Sequence, residues 1–114
     1  MPQVSQRRAI AVVDDDHSVR RATAKLLSLN GHEVHSFSSA EDFLRSEALG
    51  QVECLVSDVR MPGMGGLELH DRLLGLGRRI PVIFVTAYPQ DSYRERALAA
   101  GAVGFLAKPF AGKR

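Results

Sequence analysis

Residues 8–31 read R-A-I-A-V-V-D-D-D-H-S-V-R-R-A-T-A-K-L-L-S-L-N-G, and they contain a complete strand-and-helix unit. Arg8 to Val13 is a short, nearly continuous apolar run with Ile and Val, which suits a strand buried on both faces. Val19, Ala22, Thr23, Leu26 and Leu27 then recur with helical spacing. Asp16 is placed to cap the start of that helix and Gly31 to close its end. Such a strand, followed at once by a helix, opens a parallel α/β sheet.

The alternation continues outward from this unit. Glu33 to Phe37 reads as a second strand of alternating polarity, as expected near a sheet edge, and Ser38 with Glu41 has the S-x-x-E spacing of a capping box before Phe43, Leu44 and Ala48. Gln51 to Ser57 contains a third strand. Met61 to Gly66 form a loop feeding a helix with Leu69, Leu73 and Leu76 on one side, which Gly77 stops. Pro81 to Val85, the most apolar stretch, predicts a fourth strand in or beside the centre. A helix from about Ser92 to Ala100, capped by Asp91 and ended by Gly101, leads to a fifth strand over Val103 to Ala107. Residues 1–114 are therefore expected to form a single doubly wound α/β domain with a five-stranded parallel sheet in the flavodoxin-like order 2-1-3-4-5. A fifth helix is due after Lys108, where only Pro109 to Arg114 remain. The final helix is expected to be missing, with part of one sheet face uncovered or covered from outside the chain.

Composition narrows the function classes. With 45% hydrophobic and 25% charged residues, the 114-residue chain matches a soluble globular domain and not a disordered or fibrous one. The net charge of +2 is spread over scattered Lys and Arg, which argues against direct nucleic-acid binding. Cys54 is the only cysteine, so neither an intrachain disulfide nor a cysteine-based zinc site can be built. The absence of any apolar run long enough to span a bilayer, or of a signal peptide, predicts a cytoplasmic location without membrane contact.

The chemistry lies at the strand ends. Asp14, Asp15 and Asp16 follow the first strand, Asp58 the third, Thr86 the fourth and Lys108 the fifth. Open α/β sheets bind ligands at the carboxyl ends of the strands where strand order reverses, between strands one and three here, so Asp14, Asp15 and Asp58 are expected to converge. A hard divalent cation relieves the repulsion among such carboxylates, and Mg²⁺ is the natural candidate, because it binds through a few carboxylates and also accepts a phosphate oxygen. Phosphoryl transfer depends on positioning and on neutralising charge, to which Lys108 and Mg²⁺ contribute two cationic contacts. Asp58 is then the nucleophile, Thr86 offers a hydroxyl donor, and small Ala87 leaves the entry open.

The segments V-V-D-D-D at 12–16, S-D-V-R-M-P-G-M-G-G at 57–66, V-T-A at 85–87 and L-A-K-P-F at 106–110 resemble the receiver domain of two-component response regulators, over about residues 8–110. Within that family the wording is most similar to the receivers of the nitrogen-fixation type of LuxR-class regulators. The resemblance implies that Asp58 takes a phosphoryl group from a sensor histidine kinase. It further implies that Asp15 binds Mg²⁺ directly, Asp14 through water or as a second ligand, and Arg60 through its backbone carbonyl, whereas Asp16 falls outside the acidic pair and serves as the helix cap. Lys108 would bind phosphate across a cis Lys108–Pro109 peptide. Thr86 would couple to Phe105 as the switch, and Arg60 and Tyr88 would tune the lifetime of the phosphorylated state, shielding it so that its loss is slow. A candidate homodimer through the helix 4/strand 5 face on phosphorylation is also implied.

Such a protein is a phosphoacceptor switch and not an enzyme in the usual sense, and the abrupt end favours the truncated N-terminal part of a transcriptional regulator. The alternative within the family is a stand-alone receiver that relays phosphate or binds a protein target. A Mg²⁺-dependent phosphohydrolase of the haloacid dehalogenase type is a remote alternative, because it needs an acid two residues after its Asp nucleophile, where this chain has Arg60.

Overall fold

A computed structural model of the protein describes residues 8–87 and 91–107. The elements are β1 (Ala9–Val13), α1 (His17–Leu29), β2 (Glu33–Phe37), α2 (Ala40–Leu44), a 3-10 turn (Glu47–Gly50), β3 (Cys54–Asp58), α3 (Gly66–Gly75), β4 (Val82–Thr86), α4 (Asp91–Ala99) and β5 (Gly104–Ala107). All strand pairs are parallel, in the order β2-β1-β3-β4-β5. The expected doubly wound sheet is therefore present. Because β1 to β2 runs one way across the sheet and every later crossover runs the other, right-handed connections place α1 on one face and α2, α3 and α4 on the opposite one.

The second of these faces carries the main core. Ala11, Val13, Leu55, Val82 and Phe84 project from the strands towards Phe43 of α2, Leu69 and Leu73 of α3 and Ala97 of α4. Phe37 and Phe43 meet at a centroid distance of 5.3 Å, fixing α2 against β2. Arg78 ties the lower edge together by donating from Nε to Leu49 O (3.0 Å) and from Nη2 to Val52 O (2.7 Å). On the α1 face, Cys54, Val56 and Ile83 are only half-buried, Leu106 is 50% exposed, and among the described residues no helix other than α1 lies there.

Several boundaries differ from the sequence reading, for local reasons. Asp16 does cap α1, but α2 is capped by Ser39, whose Oγ accepts from Asp42 N at 3.1 Å, and not by Ser38. The S-x-x-E spacing misleads because Glu41 turns away from its own helix to accept from Met64 N, at 3.0 Å. Asp91 is itself the first residue of α4. Leu76 lies beyond the end of α3 and is 55% exposed, so Leu69 and Leu73 alone carry the buried stripe among those three leucines.

His70 is a polar residue inside this apolar core. It is buried, with its ring centroid 5.9 Å from that of Phe84, and its Nδ1 has no hydrogen-bond partner. Burial lowers its pKa below the usual histidine value, against a smaller opposing effect of the Asp71 charge. The unfolded chain therefore binds this proton more readily than the folded one. Stability from this group is complete above the ordinary pKa of about 6.5 and is lost as pH falls below it. His70→Leu should accordingly show a smaller loss of unfolding free energy than the native protein between about pH 7.5 and about pH 5.5. Urea unfolding at the two pH values tests this, and equal losses in both proteins would contradict it.

Candidate functional site

The register of the central strands gathers the carboxylates. Val13 pairs with Ser57, so Asp14 and Asp58 occupy the next rung, and the two-residue period of a strand turns both to the same side. Asp14, Asp15 and Asp58 each present an oxygen, and these atoms lie within 4.8 Å of one another. Asp14 and Asp58 are buried, at 3% and 6% exposure, while Asp15 is exposed.

Backbone groups fix the cluster locally. Asp14 Oδ1 accepts from Asp16 N at 2.9 Å, and Asp16 Oδ1 accepts from Ser18 N (2.9 Å) and Val19 N (3.1 Å), so the turn into α1 sets both side chains. Arg20, one turn into that helix, donates from Nη1 to Asp14 O at 2.8 Å. Asp58 Oδ1 accepts from Arg60 N at 3.3 Å. An open cleft in front of these groups is lined by Asp15, Asp16, Asp58, Arg60, Pro62, Gly65, Glu68 and Ala87. Its donor set is all oxygen and anionic, which suits a hard divalent cation better than a soft metal.

The loop between β3 and α3 forms one wall. Gly66 N donates to Val59 O at 2.9 Å, and Glu68 Oε1 accepts from Gly65 N at 2.8 Å, the half of a capping box that a glycine cap permits. Gly66 lies so close to the phosphoacceptor candidate that a Cβ there would stand 2.1 Å from Asp58 O and 3.0 Å from Ser57 Oγ. Only glycine fits without moving Asp58.

The remaining expected site residues are placed as follows. Thr86 ends β4 at the same sheet edge and is fully buried, and Ala87, not Thr86, lines the cleft. Phe84 pairs with Phe105 and Thr86 with Ala107, so Thr86 and Phe105 share one face, where Phe105 packs half-buried on the core. Arg60 is exposed on the cleft wall. Lys108, Pro109 and Tyr88 lie outside the described residues. The sequence reading gave Arg20, Glu41 and Glu68 no part in the site; Asp16 caps α1 and stays outside the group of three carboxylates, as expected, and also lines the cleft wall. Glu68 carried a signal, the G-x-x-E spacing at the start of α3; Glu41 carried a false one.

A sequence profile described as the response regulator receiver domain matches residues 10–114. The chain belongs to that family. Among its relatives, nodulation protein W of Bradyrhizobium diazoefficiens is 41% identical over 108 residues, covering 95% of this chain and 48% of that protein. The response regulator protein TmoT of Ectopseudomonas mendocina is 40% identical over 105 residues, covering 92% of this chain and 48% of that one. Of solved structures, the response regulator StyR is 44% identical with a TM-score of 0.82, covering 91% of this chain and 52% of that one. The structure named FIXJ-N is 39% identical with a TM-score of 0.80, covering 92% of this chain and 84% of that one. The receiver thus spans about half the length of the curated relatives named here.

As a receiver, the protein shares its fold with these solved structures, and no helix among its described residues is long and apolar enough to cross a membrane. Gly66→Ala should destabilise it by about 1–3 kcal/mol, the usual cost of overpacking, because backbone and not a flexible side chain must give way. Denaturant unfolding measures the loss; an unchanged midpoint would show that the close approach to Asp58 O is not rigid.

Proposed function

We propose that this receiver accepts a phosphoryl group from a sensor histidine kinase on Asp58, with Mg²⁺ as cofactor, and changes conformation in response. The observation that carries this reading is the position of Asp58, buried at the end of β3 beside Asp14 and Asp15 and lining the cleft. Asp14, Asp15, Asp58 and the backbone carbonyl of Arg60 would hold Mg²⁺, which, when bound, offsets negative charge on the phosphoryl oxygens. An Asp58 carboxylate oxygen attacks phosphorus as the P–N bond of the phosphohistidine breaks, and the imidazole leaves with the bonding electron pair. The open wall at Ala87 leaves room for the incoming group, and Lys108, which follows β5 directly, is assigned to the transferred phosphoryl oxygens.

Switching is assigned to Thr86 and Phe105. Their shared face, with Phe105 packed on the core and lacking a hydroxyl, supports a change governed by packing. We further assign a cis Lys108–Pro109 peptide, a phosphorylation-dependent homodimer through α4 and β5, a cytoplasmic location, no direct contact with nucleic acid or membrane, and no multiple-turnover catalysis. The C4-dicarboxylate transport transcriptional regulatory protein DctD of Rhizobium meliloti, 37% identical over 111 residues, supports an output in transcription. A stand-alone relay has weaker support, from the chemotaxis protein CheY4 of Vibrio cholerae, 27% identical and covered over 88% of its chain. A phosphohydrolase of the haloacid dehalogenase type is disfavoured by Arg60, which stands on the cleft wall where a proton donor would be required.

Incubation with acetyl phosphate and Mg²⁺ should add one phosphoryl group by intact mass, and Asp58→Ala or a chelator should abolish the addition. Retention of the added mass in Asp58→Ala would overturn the assignment of the acceptor. Arg60 and Tyr88 are proposed to shield the acyl phosphate, so its loss should be slow in the native protein and faster in Arg60→Ala. A native half-life of seconds in the presence of Mg²⁺ would refute the shielding role.

A further inference from the structure

Three tethers of the β3–α3 loop are local: Arg60 N to Asp58 Oδ1, Gly66 N to Val59 O, and Gly65 N to Glu68 Oε1. A fourth comes from a different element. Glu41 in α2 accepts from Met64 N through Oε2 at 3.0 Å, a contact across 23 residues of sequence. Gly63 presses against the same carboxylate: it has a φ of +76°, and a Cβ there would stand 2.7 Å from Glu41 Oε2. Glu41 is not needed as the cap of its own short helix, a role filled by the Ser39 side chain.

We propose that Glu41 is a positioning residue of the acidic site, a latch from α2 that holds the cleft-forming loop through the Met64 amide. The inference rests on the reading of the cleft as the Mg²⁺ and phosphoryl site. Its physical basis is that a part-buried backbone N–H needs an acceptor, and the Glu41 side-chain oxygen supplies it from another element, which ties the loop to α2. The wall from Arg60 to Gly63 lies between Asp58 and this latch, so the position of the Arg60 carbonyl depends on where Met64 is held. Within the loop Arg60 N is held by Asp58 Oδ1, Gly66 by Val59 O and Gly65 by Glu68, and Met61 and Met64 pack on the core; the latch adds to these a tie from α2 at Met64.

Three variants separate the bond from the charge. Glu41→Gln keeps an oxygen acceptor of the same reach without the charge, Glu41→Asp keeps the charge but is one methylene shorter, and Glu41→Ala loses both. Mg²⁺ affinity is measured by calorimetric titration, and amide exchange at Met64 by NMR, at a temperature where each variant is folded. Glu41→Ala and Glu41→Asp should bind Mg²⁺ about threefold to tenfold more weakly with faster exchange at Met64, and Glu41→Gln should stay within about twofold of the native protein. The Glu41→Asp and Glu41→Gln pair carries the comparison if Glu41→Ala does not fold. Native affinity in Glu41→Asp would overturn the latch, as would equal weakening in Glu41→Gln and Glu41→Asp, which would assign the effect to something other than the hydrogen bond. If the native protein itself takes up no Mg²⁺, the reading of the cleft falls and the latch with it. If it binds normally and only the variants fail to differ, the latch alone is refuted.

Discussion

Three carboxylates held within 4.8 Å of one another repel, at an effective dielectric of about 20, by about 3–4 kcal/mol for each pair. The arrangement persists because β1 and β3 end on adjacent rungs of one ladder, and because backbone donors hold the Asp14 and Asp58 side chains in place. The sheet thus supplies, through hydrogen bonds and buried apolar side chains far from the charges, the stability that the site itself opposes. Strand order, the glycine against Asp58 O and the tethered loop all follow from the need to bring these groups together and leave one side open.

The elements that repeat simple periodicities were legible in the sequence. The both-faces-buried runs of β1 and β4, the helical spacing in α1 and the glycines after the helices are consequences of local chemistry, so they identified the alternation of strands and helices, while the strand order followed from the fold class to which that alternation belongs. The errors fell where two residues offered the same local device. Ser38 and Ser39 are both plausible caps, and the spacing to Glu41 favoured the wrong one because the true partner of Glu41 is Met64, in another element. Leu76 continued the spacing of Leu69 and Leu73 but lies past the last helical residue, where periodicity no longer describes direction.

The site was legible for a related reason and illegible for another. Asp14, Asp15 and Asp58 stand at strand ends, and strand order alone brings strand ends together. The groups that orient them do not stand at strand ends. Arg20 reaches Asp14 O from within α1, and Gly66 matters through the space it leaves empty, which no residue pattern displays. Asp16 illustrates a third case: a single side chain serves both as cap and as cleft wall, and a reading that assigns one role to each residue must drop one of them.

The half-covered α1 face includes Cys54, the one cysteine of the chain. Burial pushes its thiol pKa above the ordinary value, outweighing a backbone hydrogen bond from Leu55 and the Arg8 charge, so at neutral pH it is held mostly as the slowly reacting thiol. Cys54 shares its side of the sheet with Val56 and Ile83, the half-buried residues that α1 leaves partly open. Its rate of alkylation is therefore a native chemical gauge of how fully that side is shielded from solvent, available without a label or an engineered residue.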